Sequence, residues 1–586
     1  MAKPGSEAAF PAWDSRRGDH RSHACLAAGM NETASRRRWL LLVSSLASGG
    51  LLNHHRHLVG ALPQPLAADL CVYGGTASGV MAAMAAARDG LRVVLVEPSR
   101  WLGGMTGGGL NTIDWGRQEA VAGTTRGILK QGLNDREYRK YFADVLQEHA
   151  VAVVYEHRVS GVERRGTRIE GIILDQAPPD RFGCPIATPT RAAARQITAD
   201  VFIDCSYEGD LMARAGVGYT FGRESRETYG ESLAGVQPPL AVYRIDPYRT
   251  PSQPGSGLLP QVQDIPQKPV GAADSLTMGY GFRWKYTTSA GRLPIDPPPD
   301  YDPQDYELYR RGFVGGVDMF AGRRMRQLGV FESAVGNPFQ IPMGNLSRAL
   351  WAATVFGSNA DYPDGDYATR AKIWKAQQDF VRGLTHFIRT DPAVSPNWRE
   401  KALTIGLKPG LFDETAGYPH QLYVREARRM QADYVLTQAD LEGRTDPVDA
   451  VGLASYGVDE WPYATVVIDG GVALAGGYYS MLYLEKRYRG IYKIPYRSIV
   501  PKRHECTNLL VPVCCSASHI AMTSIRMEPV WMILGESAGI AAAEVARRQV
   551  PVQDLDYQVL EKRLRHYGQH VWRGEAEDAD SVDAGR

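Results

Sequence analysis

The chain has 586 residues, of which 44% are hydrophobic and 22% are charged, so it can bury a large core spread over two or three structural units. Its formal net charge of +1 argues against a nucleic-acid partner, because binding to phosphates needs a concentrated basic surface. Its seven cysteines are too few for a disulfide scaffold and include no CxxC pair, so we predict no metal centre.

The first predicted element is a targeting segment at residues 1–68. The arginines at 36–38 stand directly before the apolar run 39–52, which is too short to span a bilayer as an ordinary helix. A basic region followed by a short apolar one is typical of a signal peptide, and adjacent arginines resemble a twin-arginine signal. We therefore predict an exported protein, periplasmic or extracellular, with no stable membrane span. The alternative is a disordered basic tail on a cytoplasmic protein.

A βαβ unit begins at residue 69. The apolar run 69–73 predicts a buried parallel strand, the alanine-rich run 80–88 predicts a helix close to the sheet, and the run 92–96 predicts a second strand. Glu97 ends this second strand. A glycine-rich turn joins the first strand to the helix and consists of Gly74, Gly75, Thr76, Ala77, Ser78 and Gly79.

This turn predicts a dinucleotide site. Gly74 permits the tight turn, Gly79 permits close contact between helix and strand, and the helix N-terminus offers free N–H groups to a pyrophosphate. Glu97 is placed to accept hydrogen bonds from ribose hydroxyls. Thr76 stands where the GxGxxG fingerprint has its second glycine, which crowds the approach to the phosphates. The alternative is a glycine-rich turn in an ordinary α/β protein.

The segment after Glu97 favours FAD over NAD. Residues 103–109 include five glycines, which let the backbone lie against a flat ligand and supply N–H donors to an extended FAD. Apolar residues interleaved with these glycines indicate a packed loop, whereas the alternative is a flexible surface loop. The residues of this segment that we expect at the cofactor are Pro98, Gly103, Gly104 and Met105.

The GGTASG turn, the LGGM segment and several later stretches resemble one known family, the FAD-dependent oxidoreductases with a glutathione-reductase-type FAD-binding domain. The likeness covers most of residues 69–548. Residues 199–216 resemble the second FAD segment of that family, and the resemblance implies that Asp210 lies at the cofactor. In this segment, residues 205–207 replace the Ala-Thr-Gly triplet of many related flavoproteins. The implied fold class is α/β: a Rossmann-type FAD-binding domain, with a parallel sheet and helices, plus an inserted α+β substrate domain.

We place the N-terminal part of the FAD-binding domain at 69–216 and the inserted domain at 217–410. A helical segment and the C-terminal part of the FAD-binding domain follow at 411–565, and an acidic tail at 566–586.

In the inserted domain, the run 280–286 (YGFRWKY) alternates between aromatic and other residues. This alternation predicts a strand with aromatic residues on one face and with Arg283 and Lys285 on the other. The aromatic face suits a sugar or an aromatic substrate, and the alternative is an ordinary sheet core.

A helix is predicted from His420 to Val435. His420 and Arg425 are candidate catalytic residues because the likeness to the family is strong around them. Arginines near a flavin usually anchor a carboxylate or hold the charge of the reduced flavin. A solvated helix face accounts for Arg428 and Arg429.

The C-terminal segment predicts a strand at 508–513 and a buried helix at 528–547. The family likeness implies that this helix packs on the FAD-binding domain and that it reaches the flavin, with Gly535, Ser537 and Ala538 at the cofactor. These small residues serve helix packing equally well.

His519 and Arg526, between that strand and that helix, are the polar groups expected to face the flavin. The alternative for His519 is a hydrogen-bonded core residue. Cys514 and Cys515 are either a strained redox-active pair or two small buried residues.

The predicted function is that of an FAD-dependent oxidoreductase that transfers a hydride between flavin N5 and a small organic substrate. His519 or His420 would be the acid or base, and Arg526 or the C-terminal helix would neutralise the flavin anion. The first alternative is a flavoprotein with structural FAD whose middle domain binds a glycan or a protein partner. The second is an NAD-binding dehydrogenase, which would be colourless when purified.

Overall fold

The structure is a computed structural model that describes residues 65–110, 113–316, 354–476, 479–480 and 490–576. The predicted targeting segment lies outside these residues as far as residue 64, and the predicted acidic tail lies outside them from residue 577. Among the described residues, no helix has the length and apolar character needed to cross a membrane.

The strands of the described residues are short outside the main sheet. In chain order they are β1 (Leu66–Tyr73), β2 (Val93–Glu97), β3 (Ala152–Tyr155), β4 (His157–Arg165), β5 (Arg168–Gln176), β6 (Arg191–Asp204), β7 (Tyr219–Thr220), β8 (Ala241–Tyr243), β9 (Tyr286–Thr287), β10 (Gly406–Leu407), β11 (Arg429–Met430), β12 (Ala450–Ala454), β13 (Val458–Asp459), β14 (Ala464–Ile468), β15 (Gly471–Ala475), β16 (Tyr479–Ser480), β17 (Tyr492–Pro495) and β18 (Leu509–Leu510).

The α-helices of the described residues range from one turn to six. In chain order they are α1 (Ala77–Arg88), α2 (Gly104–Gly108), α3 (Gly123–Leu129), α4 (Asp135–Glu148), α5 (Asp210–Arg214), α6 (Arg226–Tyr229), α7 (Glu307–Val314), α8 (Tyr367–Thr390), α9 (Pro396–Leu403), α10 (Gln438–Leu441), α11 (His519–Ile525), α12 (Glu528–Arg548) and α13 (Tyr557–His566).

The main sheet has seven strands in the order β3-β2-β1-β6-β5-β4, with β18 also paired to β6. The pairs β1–β2, β2–β3, β1–β6 and β6–β18 are parallel, whereas β4, β5 and β6 form an antiparallel meander. The long strand β6 pairs with β5 along its first part and with β18 near its end. This parallel arrangement, with helices packed on it, confirms the α/β fold class.

The first βαβ unit forms as predicted. All five residues of β2 are buried, and α1 is buried from Ala77 to Ala86. The helix begins at Ala77, before the alanine-rich run, because the side chain of Thr76 caps its N-terminus.

Helix α12 covers α1 through two glycines. A Cβ atom on Gly535 would overlap the carbonyl oxygen of Ser78, and one on Gly539 would overlap the carbonyl oxygen of Ala82. Both positions therefore require glycine if the two helices are to approach this closely. The predicted helix is confirmed in extent, and it packs on α1 and on β6.

The two-faced strand predicted for 280–286 is not formed. Gly281 makes an isolated bridge to Tyr423, and β9 begins only at Tyr286. The aromatic side chains of this run belong to the main hydrophobic core, as the sheet-core alternative has it. Arg283 and Lys285 are buried as well, with 7% and 6% exposure, because each finds a partner inside the protein.

The helix predicted from His420 to Val435 is wrong. This segment is extended or irregular and carries only the short strand β11, which pairs with β7. The solvated face predicted for Arg428 and Arg429 is also wrong, because both guanidinium groups are buried in ion pairs. The partners of Arg428 and Arg429 come from distant parts of the chain, and such ion pairs do not need the arginines to lie on a helix.

One hydrophobic core cluster draws members from all three predicted domains, for example Val80, Trp284 and Ile533. The predicted insertion therefore shares the main hydrophobic core with the FAD-binding part.

Candidate functional site

Two glycines tighten the turn between β1 and α1. Gly74 has a φ of +93°, and a Cβ atom there would lie 2.7 Å from the backbone nitrogen of Ser206. A Cβ atom on Gly79 would overlap the carbonyl oxygen of Gly74. These contacts bring the N-terminus of α1 against the ends of β1 and β6. The first N–H groups of a helix have no partner within it, so this end can bind an anion.

Thr76 turns its hydroxyl into the protein. The oxygen accepts a hydrogen bond from the backbone N–H of Gly79 at 3.2 Å and donates to the carbonyl of Cys205 at 2.9 Å. Thr76 therefore links the turn to the segment after β6. It also lines the first cleft, which is described below.

Glu97 joins the turn to the loop after β2. Its carboxylate accepts hydrogen bonds from the N–H groups of Gly75 and Ser99, each at 2.7 Å. Burial raises the pKa of Glu97. Both oxygens keep lone pairs that can accept from ribose hydroxyls. Gly103 donates its N–H to the carbonyl of Gly75 at 2.7 Å, so the two glycine-rich segments lie side by side.

Sequence reasoning missed a network that holds α2. The hydroxyl of Tyr207 accepts from the N–H of Met105 at 2.8 Å and donates to Glu528 at 2.6 Å. Thr106 donates to the other oxygen of Glu528 at 2.7 Å. Burial raises the pKa of Glu528 to about 7. A glutamate at the start of a helix is only a weak sequence signal for such a network. The spacing of these residues along the chain does not predict that they meet.

A cleft of about 900 Å³, a volume that includes the space open to solvent, lies at the ends of β1 and β2. Its lining includes Gly74, Thr76, Glu97, Pro98, Gly104 and His420. Ligands of open α/β sheets bind at this edge, where strands end and helices begin. The lining therefore fits FAD: the N-terminus of α1 would hold the pyrophosphate and Glu97 would hold the ribose. Gly74 and Gly104 let the two glycine-rich segments pack on Ser206 and Tyr207, where a side chain would clash.

Asp210 also lines this cleft, but its carboxylate is engaged. It accepts from Arg370 at 2.7 Å and from Arg428 at 3.0 Å, and all three side chains are buried. Burial alone would raise the pKa of Asp210, but the two arginines hold it below its ordinary value. Asp210 thus anchors α8 and the segment near β11 at the wall of the cleft.

Gly535, Ser537 and Ala538 lie in the contact between α12 and its neighbours. Gly535 packs on α1, Ser537 donates to the carbonyl of Val451 at 2.6 Å, and Ala538 is fully buried. None of the three lines either described cleft. Their placement is that of helix packing, which was the alternative.

His519 lies in a buried network instead of a cleft wall. Its Nδ1 is 2.8 Å from a carboxylate oxygen of Glu426, and its Nε2 is 2.5 Å from the hydroxyl of Tyr463 and 3.3 Å from Glu460. Burial alone would lower the pKa of His519, but Glu426 and Glu460 raise it to about 9. The imidazolium therefore neutralises acids that would otherwise repel each other.

We expect His519→Gln to flatten the alkaline part of the pH–stability profile. Because the folded pKa is raised to about 9, the bound proton contributes stability that is fully present below the ordinary pKa of about 6.5 and is lost as pH rises through about 9. Between these pH values, urea unfolding should show a fall in unfolding free energy on the order of 3 kcal/mol in the wild type, and a smaller one in the variant.

His504→Gln is the control, because that imidazole is 79% exposed. It should keep the wild-type profile. An unchanged profile in His519→Gln would show that the buried network does not hold the proton.

His420 sits at the cleft wall. Its ring stacks on Trp101 at a centroid distance of 4.2 Å, and Phe412 meets it edge-on. Burial, with Arg139 nearby, lowers the pKa of His420 well below its ordinary value. The imidazole is therefore neutral at pH 7, with a nitrogen available to accept a proton.

Three guanidinium groups surround the ring of Tyr423. The central carbons of Arg283, Arg425 and Arg526 lie 4.7, 4.1 and 5.9 Å from its centroid. Arg526 donates to the Tyr423 hydroxyl at 2.9 Å and to Asp459 at 2.9 Å. We call Arg283, Tyr423, Arg425 and Arg526 the arginine cluster.

A second cleft, of about 990 Å³ with the space open to solvent included, lies on the other side of α2. Thr106 and Leu110 line it, as do Lys285 and its ion-pair partner Asp135, 3.1 Å apart. Helix α2 thus separates the two clefts, with Gly104 facing the first and Thr106 the second.

Cys514 and Cys515 are separate buried thiols. The sulfur of Cys514 contacts the carbonyl of Tyr207 at 3.3 Å, and burial raises the pKa of both thiols, that of Cys515 to about 12. This placement matches the alternative of two small buried residues.

A family model described as FAD dependent oxidoreductase matches residues 69–564, and the chain belongs to this family. Its cofactor is accordingly FAD, bound by a Rossmann-type domain. No curated protein matches the chain.

Solved structures resemble only part of the chain. They include THI4 of Thermovibrio ammonificans, with 18% identity over 27% of this chain and 66% of that one and a TM-score of 0.20. Thioredoxin reductase of T. acidophilum shows 19% identity over 24% of this chain and 34% of that one, with a TM-score of 0.16. This chain thus spans less than two thirds of the length of either.

Proposed function

We propose that this FAD-dependent oxidoreductase transfers a hydride between the N5 atom of FAD and a small organic substrate. The observation that carries the proposal is the segment that follows His420, which runs from the wall of the first cleft into the arginine cluster. At about 3.3 Å per residue, His420 and Arg425 are within roughly 17 Å of each other along an extended chain. The cofactor cleft is therefore separated by only a few residues of chain from a buried cluster that is positively charged and aromatic.

Each residue of the site has a role in this proposal. The N-terminus of α1 binds the pyrophosphate and Glu97 binds the ribose. FAD, when bound, supplies the two-electron donor or acceptor. His420 accepts or returns the substrate proton, since its imidazole is neutral at pH 7. Arg526 and the N-terminus of α12 stabilise negative charge, and His519 is a positioning residue.

The proposal extends to the remaining sequence predictions. Export is supported by the arginines at 36–38 and the apolar run behind them. A glycan-binding role for the middle domain finds no support in the described residues, because the aromatic side chains of 280–286 are in the core.

Anaerobic reduction tests the proposal. A panel of alcohols, amines, hydroxy acids and amino acids is added to the oxidised holoprotein, and at least one member should bleach the visible flavin absorbance. His420→Asn should keep its FAD and slow the bleaching by about 100-fold, the loss of one general base.

His566→Asn is the matched control, because this histidine is exposed at the end of α13. It should reduce at the wild-type rate. A holoprotein that dithionite reduces but no panel member does would contradict the proposal and leave FAD a structural group.

A further inference from the structure

Arg425 is a buried guanidinium with unused donors. Its side chain has no exposed surface, and its Nε donates to the carbonyl of Gly279 at 2.9 Å. Neither Nη1 nor Nη2 has a hydrogen-bond partner among the described residues. The group packs against the rings of Trp461 and Tyr423, with its central carbon 3.5 and 4.1 Å from their centroids. Two parallel N–H donors are thus left for something the protein does not supply.

The surrounding charges do not neutralise this group. Asp459 is bonded to Arg526, and no carboxylate of the described residues forms an ion pair with Arg425. Asp114 is half-buried nearby, and burial raises its pKa, which weakens its use as a counter-ion. Arg283 adds a further positive charge and donates to the carbonyl of Leu110. The arginine cluster therefore carries more positive than negative charge.

Buried charges are normally paired, because an unpaired one is strongly destabilising. Arg425 is an exception to this rule, and such exceptions are kept where a ligand completes the pairing. The forked guanidinium matches a carboxylate, which accepts two parallel hydrogen bonds. Aromatic rings on its faces fix the plane of the fork.

The second cleft is connected to the arginine cluster through Leu110. Leu110, which accepts from Arg283, lines this cleft, and so do Ile113 and Trp115 on either side of Asp114. Lys408 lines the same cleft together with the ion pair of Lys285 and Asp135, so these charged lining residues carry one positive charge in excess. An anionic ligand that enters here meets positive charge before it reaches Arg425.

We propose that Arg425 binds a carboxylate of the substrate through two parallel hydrogen bonds, with the second cleft as the route of entry. The inference rests on the proposed function, because it takes the ligand of the arginine cluster to be the molecule that is oxidised or reduced. It commits the substrate to a carboxylic acid instead of a neutral alcohol or a sugar.

The test is binding to the holoprotein, measured by calorimetry and by the shift in melting temperature. The probes are acetate, succinate and benzoate, each paired with its neutral amide. At least one acid should bind while its amide does not. Arg425→Met should weaken that acid by about 10-fold to 100-fold, the loss of a charge-assisted pair, and Arg425→Lys should restore part of the affinity.

Arg382→Met is the matched control. Arg382 is also buried and also faces two rings, Phe182 and Tyr418, but it is fully bonded to carbonyl oxygens and to Asp379. It should lower the melting temperature and leave the affinity for the acid unchanged. Arg425→Met, which removes an unpaired charge, should melt no lower than Arg382→Met and should retain FAD.

Three results would overturn the inference: no acid binds the wild type, Arg425→Met binds the acid as tightly as the wild type, or Arg425→Met loses FAD and so marks a cofactor contact. The proposed function fails separately. A neutral substrate that bleaches the flavin while no acid binds refutes only the carboxylate site, whereas acids that bind to a flavin that no substrate reduces refute only the hydride transfer.

Discussion

Replacing Gly79 by alanine should yield a protein without FAD. The new Cβ atom would overlap the carbonyl oxygen of Gly74, so α1 must move away from the turn and from β1. That movement displaces the helix N-terminus from the pyrophosphate position. Backbone overlap of this kind costs about 3 kcal/mol or more, because neither group is the end of a flexible side chain. The ratio of flavin to protein absorbance after purification, and urea unfolding, measure the two effects.

Gly127→Ala is the control for this change. Gly127 lies in α3, is exposed, and has open space where its Cβ atom would be placed. The same substitution there should keep FAD and raise stability by about 0.5 to 1 kcal/mol, because alanine favours the helix. If Gly79→Ala binds FAD as the wild type does, the turn does not hold the cofactor in the way described.

Replacing Asp210 by asparagine should destabilise the fold by about 3 to 5 kcal/mol, because it leaves Arg370 and Arg428 as buried charges without their carboxylate. The folded pKa of Asp210 is lowered, so its contribution is present above the ordinary pKa of about 3.9 and is lost as pH falls below that value. Urea unfolding of the two proteins should therefore differ at pH 7 and converge in acid.

Asp364→Asn is the control, because it removes the more exposed of the two carboxylates that pair with Arg428. Asp364 accepts from Arg428 at 3.0 Å, but its side chain is 49% exposed. The change should cost no more than about 1 kcal/mol, as surface ion pairs do. Equal losses at Asp210 and Asp364 would show that burial does not set the strength of this cluster.

The sequence predicted correctly the elements whose structure is set by residues that are neighbours along the chain. The turn from Gly74 to Gly79 and the helix behind it follow from glycine, threonine and alanine at neighbouring positions. Glu97 was found because a strand end and an acidic residue coincide at a standard distance from that turn.

The failures lie where distant residues decide. Arg428 and Arg429 looked like a solvated helix face, yet their partners are Asp210 and Glu224, which no spacing along the chain reveals. From the sequence, Gly535 could contact either the flavin or another helix. In the structure it packs on the backbone of Ser78. The two terminal nitrogens of Arg425 are unused because no described acceptor lies next to them in the folded protein. The sequence alone does not show which groups surround a side chain.

The pairing of β18 with β6 and the packing of α12 on α1 join parts of the chain that are more than 300 residues apart in sequence. During synthesis, at roughly 5 to 20 residues per second, the βαβ unit leaves the ribosome tens of seconds before those partners exist. Until then one face of α1 and one edge of β6 are open to other chains. We therefore expect correct folding to require that the first half of the chain does not aggregate before the last hundred or so residues are synthesised. Stable binding of FAD then comes late in folding.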